Sequence, residues 1–440
     1  MGTPLDTARS QAVVEARLGR PAQDMFEAAV VLEAWAGVPA KGALEAGRQM
    51  TRAPSGAGTP SRGVLNRTPP LEGLALEAVA FVASMIAIAC WAAPLSDALG
   101  VHVLERALII ALPLTIALQW AINSRYLSRP RGTVHLGRHP LALALLPGGV
   151  ILVLTTLAGA SGLIAGLLSV MWTGGTVLIA SRLPDEYVGL VLLATTGIYA
   201  GLPAVAVLAG AAAMTTVIAI VAVAVTLGHD EPTHKPGRWT RVGLAGAIGL
   251  GIGVLLVADR SVDWSLGAIP ALGLLPSTIA SFWGGAYLWR FQEVLPQATA
   301  GITVSGGSVR GAARIPLQLL AGAIARQVTV TAAFSVLLVF GAQAFGVTMS
   351  GTTVLVGFGF VALATLLVGL LEAVGRGVWA VVALGVALLV EVVVSSQSTH
   401  QQPGIGLVAG AATVVVLVLP VAYFALSRPA TTLATRLRVT

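Results

Sequence analysis

The chain has 440 residues, of which 56% are hydrophobic and 10% charged, against roughly a quarter charged in an ordinary soluble domain. Apolar stretches of about 20 residues recur from Leu74 to Leu426. Each is long enough to cross a hydrocarbon core about 30 Å thick, which excludes a soluble fold, and runs this uniform exclude the ~10-residue alternation of a membrane β-barrel. The net charge of +7 is gathered in the short loops between the apolar stretches, so it reads as membrane topology and not as a nucleic-acid surface.

Taken from the start, residues 1–50 form a separate cytoplasmic element, expected as a helical hairpin. Met25, Phe26, Val30 and Trp35 are set among acidic residues, and Gly37 and Pro39 close the first helix. A second short helix is expected from about Lys41 to Met50. The hairpin either rests on the membrane surface or first bundle, or docks a cytosolic partner. Residues 51–70, rich in Gly, Pro, Ser and Arg, read as a flexible linker. The first 70 residues lack a basic start followed by an apolar core, so no cleavable signal peptide is expected. Cys90 is the one cysteine, so no intramolecular disulfide forms.

About twelve spans follow, near 74–95, 105–123, 141–160, 163–181, 187–202, 204–228, 241–258, 266–289, 317–346, 352–372, 377–396 and 405–427. With the N-terminus in the cytoplasm, all of the 26 Lys and Arg except Arg106, Arg260 and Arg326 fall on the cytoplasmic side. Such a bias over alternating loops requires an even number of spans with both termini inside.

The spans also repeat. Span four, a tight charged turn and span five read MWTGGTVLIASRLPDEYVGLVLLATTG, with Arg182, Asp185 and Glu186 at the turn. Six spans later LLVGLLEAVGRGVWAVVALGVALLV again carries a tight charged turn, with Glu372 and Arg376. Each is followed by a Gly-Ala-rich last span. The expected architecture is therefore two six-helix bundles, 71–228 and 241–428, joined by a loop at 229–240 and ending in a cytoplasmic tail at 429–440. Both halves begin inside, which makes the repeat parallel about an axis along the membrane normal.

Certain stretches resemble a known family. LLEAVGRGVWAVVALGVALLVEVVV followed by GIGLVAGAATVVVLVLPVAYFAL is similar to the tenth to twelfth helices of the multidrug/oligosaccharidyl-lipid/polysaccharide (MOP) flippase superfamily. Within it the chain looks closest to the Pel exopolysaccharide flippase (PelG) type. That resemblance rests on Pro113, Gln119, Arg125, Tyr126 and Leu127 in the second span and on Pro276, Arg290, Phe291 and Glu293 in the eighth. The Gly-Pro-Trp stretch usual in that type's first helix is absent, and residues 1–70 lie outside the pattern. The resemblance implies a MATE-like pair of bundles in the cell membrane, moving a polysaccharide or a lipid-linked glycan.

The polar residues inside spans are the candidates for a substrate cavity, because a charge in hydrocarbon costs at least about 2.5–3.5 kcal/mol. They are Glu77, Gln119, Asn123, Arg326, Gln327, Glu372 and Glu391. The bland alternative is that Glu77, Arg326, Glu372 and Glu391 sit near an interface and snorkel or pair. Gly249 and Gly253 make a small-xxx-small pair suited to close helix approach. No P-loop motif occurs. His135/His139 and His229/His234 sit in loops, so neither a metal nor another cofactor is expected.

The expected function is that of a flippase or exporter, with membrane lipid and glycan as its contacts. A cytosolic glycosyltransferase is the expected partner of residues 1–50. Three other readings remain: a cation-coupled multidrug exporter, a scaffold of a polysaccharide synthase complex, and a polyprenyl-phosphate-dependent membrane glycosyltransferase. The last would use Asp97 and Glu105 in the first outer loop.

Overall fold

The structure is a computed structural model. It describes residues 7–19, 22, 25–50, 79, 82–83, 95–97, 99–122, 124, 140–180, 187–189, 191, 206, 210, 217–218, 239–259, 261–262, 273–274, 276–277, 279–280, 309–344, 352–397 and 403–427. Three helices come first: α1 (Thr7–Leu18), α2 (Met25–Ala36) and α3 (Ala40–Met50). Gly37, at φ 63°, breaks the chain between α2 and α3. The three pack around a core of their own, formed by Val14, Met25, Phe26, Leu32 and Leu44. On its outside, the Arg17 guanidinium stacks over the Trp35 ring at 3.9 Å.

Seven longer helices follow: α4 (Val101–Ile122), α5 (Pro140–Ala180), α6 (Trp239–Val257), α7 (Val309–Ala344), α8 (Thr352–Ala373), α9 (Gly377–Gln397) and α10 (Ile405–Leu426). Each is long and apolar enough to cross a membrane. Their outer faces expose Leu152, Leu157, Phe340, Leu389, Val416 and Phe424, the surface that lipid covers in a membrane protein. The chain is therefore a multi-pass α-helical membrane protein.

α5 is not straight. Gly159 takes φ 57° and ψ −131°, outside the helical region. Beyond it, Gly162 lies against the Leu154 carbonyl, and a Cβ on Gly166 would stand 2.9 Å from the Ile151 Cα. In a continuous helix those residues would be roughly 12 and 22 Å apart. α5 is thus two arms folded back on each other, and the left-handed turn at Gly159 is open to glycine at little cost.

The spans are knitted by glycine against backbone, and the register gives each helix its direction. Gly253, Gly249 and Gly246 of α6 lie against Pro113, Ile116–Trp120 and Ala121 of α4 in reverse order, so the two run antiparallel. Gly377 meets Leu244 and Ile248, and Gly251 meets Leu384, so α9 runs parallel to α6. Gly406 and Gly410 of α10 face Ser395 and Glu391 of α9, antiparallel. Gly404 and Gly357 set α10 parallel to α8 through Val354 and Leu407. Thr331 at Gly359 and Ala323 at Leu366 set α7 antiparallel to α8. By this chain of contacts α6 and α7 point the same way. One apolar core joins all seven, α7 entering it through Leu320.

Candidate functional site

A buried niche with two acidic side chains is built where α6 ends. Past Val257 the chain turns, and Asp259 is buried at 1% exposure. Its Oδ1 accepts from the Ser261 amide at 2.9 Å and from the Ser261 hydroxyl at 2.6 Å, a local turn of the kind aspartate favours. Its Oδ2 accepts from the Leu407 amide at 3.0 Å. The Ser261 Oγ accepts in turn from the Gly404 amide at 2.8 Å. α10 begins at Gly404, which has no side chain with which to cap the helix, so its first-turn donors are satisfied by Asp259 and Ser261 from across the fold. Burial pushes the Asp259 pKa up, but the hydrogen bonds from Ser261, Leu407 and Ser395 outweigh it and hold the carboxyl below its ordinary value of 3.8.

Glu391 of α9 faces the same niche at 0% exposure. Asp259 is its charged neighbour, with its backbone amide turned toward the Glu391 carboxylate, and no side chain hydrogen-bonds to either carboxylate oxygen. Space for the pair comes from α10. A Cβ on Gly406 would stand 2.9 Å from Asp259 Oδ2, and one on Gly410 would stand 3.1 Å from Glu391 Oε2. Two carboxylates in one dry niche are costly unless a cation joins them.

A second polar seam runs between α4 and α5. Gln119 Nε2 donates to Thr176 Oγ1 at 2.9 Å and lies 3.5 Å from the Trp172 carbonyl. Thr115 is on the same face of α4, and Ser169 and Thr173 share a face of α5 with Trp172 and Thr176. Thr115 Oγ1, Ser169 Oγ, Trp172 Nε1 and Thr173 Oγ1 are buried without partners.

The remaining candidates are dispersed. Arg326 on α7 is exposed, while its neighbour Gln327 is 1% exposed with both amide atoms unpartnered. Glu372, at the end of α8, accepts from Ser124 and lies within charge reach of Arg241. The structure therefore joins Glu372 to the ends of α4 and α6, Gln119 to α5 and Glu391 to Asp259, and brings no two of these candidates together. Glu77 and Asn123 lie outside the described residues, as do the linker, the 229–238 part of the inter-bundle loop and the tail. Of the two acids in the rival enzyme reading, Asp97 is exposed, and Glu105 pairs with His102 at 3.3 Å.

Asp259, Thr115, Ser169, Trp172, Thr173 and Thr331 are the polar residues that sequence reasoning passed over. For Asp259 there was a signal: Asp-x-Ser directly after a span is the spacing of a side-chain-stabilised turn. Hydroxyls inside apolar runs carry almost no signal, because hydropathy scores them near neutral. Among the described residues no group of three or more His, Cys, Asp or Glu is placed to hold a metal ion. Compared with protein-family models, with curated proteins and with solved structures, the chain shows no significant match.

Proposed function

We propose that the chain is a cation-coupled transporter of the cytoplasmic membrane. It passes a polysaccharide or lipid-linked glycan between two six-helix bundles by alternating access. The observation that carries the coupling is the buried Asp259–Glu391 pair, with Glu391 inside a span and held by no side-chain hydrogen bond. Ionisable residues at such positions mark ion pathways, and a passive scaffold has no use for them. The glycan cargo is supported by the resemblance of the span ends to the MOP superfamily, and the residues 1–50 domain is the face for a cytosolic glycosyltransferase.

The twelve-span count draws support from helix direction. α6 and α7 run the same way, which fits one further crossing between them, near 266–289. The fold-back of α5 at Gly159 fits two crossings over 140–180.

The test is transport in proteoliposomes, with a fluorescent polyprenyl-diphosphate-linked disaccharide as cargo. Wild-type translocation is expected to accelerate when a proton or sodium gradient is imposed. Glu391→Gln is expected to keep gradient-free exchange and lose the acceleration. Wild-type translocation indifferent to both gradients would sink the coupling.

A further inference from the structure

α7 carries two buried polar groups with no partner. Gln327 is 1% exposed, and neither Nε2 nor Oε1 has a hydrogen-bond partner. Thr331, one turn along the same face, is 8% exposed with its Oγ1 also unpartnered. The fully buried stripe of α7 consists of Pro316, Leu320, Ala323, Gln327 and Thr331. It meets α8, where Ala323 packs with Leu366, and where a Cβ on Gly359 would stand 3.2 Å from the Thr331 methyl.

From Val328 onward the outward face of α7 is largely apolar: Val328, Phe334, Val336, Leu337 and Phe340 are all exposed. Among the seven membrane-length helices α7 is the least enclosed, with only 11% of its most apolar stretch buried. The membrane-length part runs from Pro316 to Gly341. Wherever a core of about 20 residues is set within it, Gln327 stays at least one turn inside.

An amide making none of its hydrogen bonds in hydrocarbon is a large cost. Leucine would fill the same space on α7 without that cost. A residue that weakens the fold where an apolar one would serve better points to binding. An amide and a hydroxyl each donate and accept, which suits sugar hydroxyls. Arg326, exposed beside them, suits a phosphate. Beyond Arg326 the outward face of α7 is largely apolar and its inward attachment is thin, so such a ligand would reach the stripe sideways from the bilayer.

We propose that the α7–α8 seam is a lateral binding site in which Gln327 and Thr331 take the polar head of a lipid-linked glycan. That the ligand is cargo rests on the transport reading above; that the seam binds a headgroup does not.

The test uses the full chain in phosphatidylglycerol nanodiscs, with binding of the polyprenyl-diphosphate-linked disaccharide measured directly. The variants are Gln327→Leu with Thr331→Val, and Gly322→Ala as a control at an open position of α7. The double variant is expected to melt at a higher temperature than wild type and to bind the probe roughly tenfold more weakly, the loss of about two hydrogen bonds. The control is expected to bind the probe as wild type does, whatever small gain in melting temperature its helix propensity brings. Unchanged probe binding, or a lower melting temperature in the double variant, overturns the site. Equal loss of bound phosphatidylglycerol overturns its assignment to cargo. If the double variant loses the probe while transport ignores ion gradients, the coupling reading fails and this site stands.

Discussion

Gly410 of α10 stands so close to Glu391 of α9 that a Cβ at position 410 would lie 2.8 Å from the Glu391 Cβ and 3.1 Å from its Oε2. The contact makes the helix seam and the acidic niche one structure, since the missing side chain is what admits the carboxylate. Gly410→Ala should therefore cost about 1–3 kcal/mol by overpacking. In a Glu391→Gly background, which removes both the Cβ and the carboxylate that a side chain at 410 would meet, most of that cost should vanish. Thermal unfolding of the four proteins of the cycle measures it, and costs that add to within about 0.5 kcal/mol would mean that the two residues do not press on each other.

Asp259 ties the end of α6 to the start of α10, and that tie is charged. Its pKa lies below the ordinary 3.8 because of the hydrogen bonds it accepts. The sign follows from linkage. The folded protein holds this proton less tightly than the unfolded chain, so the contribution is whole above pH 3.8 and is lost as pH falls through the lower folded value. Asp259→Asn should cost about 1.5–3 kcal/mol at pH 7, as expected for hydrogen bonds to a charged group. It should also flatten the stability–pH curve in that acid window. Unfolding followed from pH 7 to pH 2 reads both, and a variant curve parallel to wild type would refute the charged cap.

The seven described spans were legible because hydropathy needs only local composition, and Gly249 and Gly253 were legible as a packing seam because small residues recur one turn apart. The fold-back inside α5 followed from the gap between two apolar runs, though nothing in the sequence singled out Gly159 as its left-handed residue. Glu391 stood out as a charge in an apolar run. Its partner did not, because Asp259 reaches it only through the packing of α6, α9 and α10. The capping of α10 is equally tertiary: Gly404 reads as an uncapped helix start, and its cap comes from a distant turn. Gln327 was visible as an interruption of its span, but its unpartnered state depends on how little of α8 lies against α7.

The α4–α6 seam allows a sharper contrast between glycines of one helix. A Cβ at Gly253 would meet the Pro113 backbone, and one at Gly249 would stand 2.6 Å from the Ile116 carbonyl, whereas Gly243 has open space around it. Gly253→Leu should part the two helices and cost more than 3 kcal/mol, the upper end of ordinary overpacking. Gly243→Ala should be neutral or gain up to about 1 kcal/mol from helix propensity. Melting temperatures in detergent decide between them. Similar losses at both positions would place the seam elsewhere.

Asp97 and Glu105 separate transport from enzymatic glycosyl transfer. Glu105 lies 3.3 Å from the His102 ring, with the two side chains 31% and 87% exposed, a surface pair worth about 0–1 kcal/mol. Asp97 is exposed as well. Neither has the burial that tunes a catalytic acid or base, and removing both should leave the fold intact. In a transporter, Asp97→Ala with Glu105→Ala should translocate the lipid-linked disaccharide at nearly the wild-type rate, while Glu391→Gln loses its response to the ion gradient. In a glycosyltransferase the order reverses: the Asp97 and Glu105 variants abolish product, and Glu391→Gln leaves it unchanged. Assaying translocation and sugar transfer on the same three proteins, with a polyprenyl-phosphate sugar donor for the second, gives opposite patterns for the two readings.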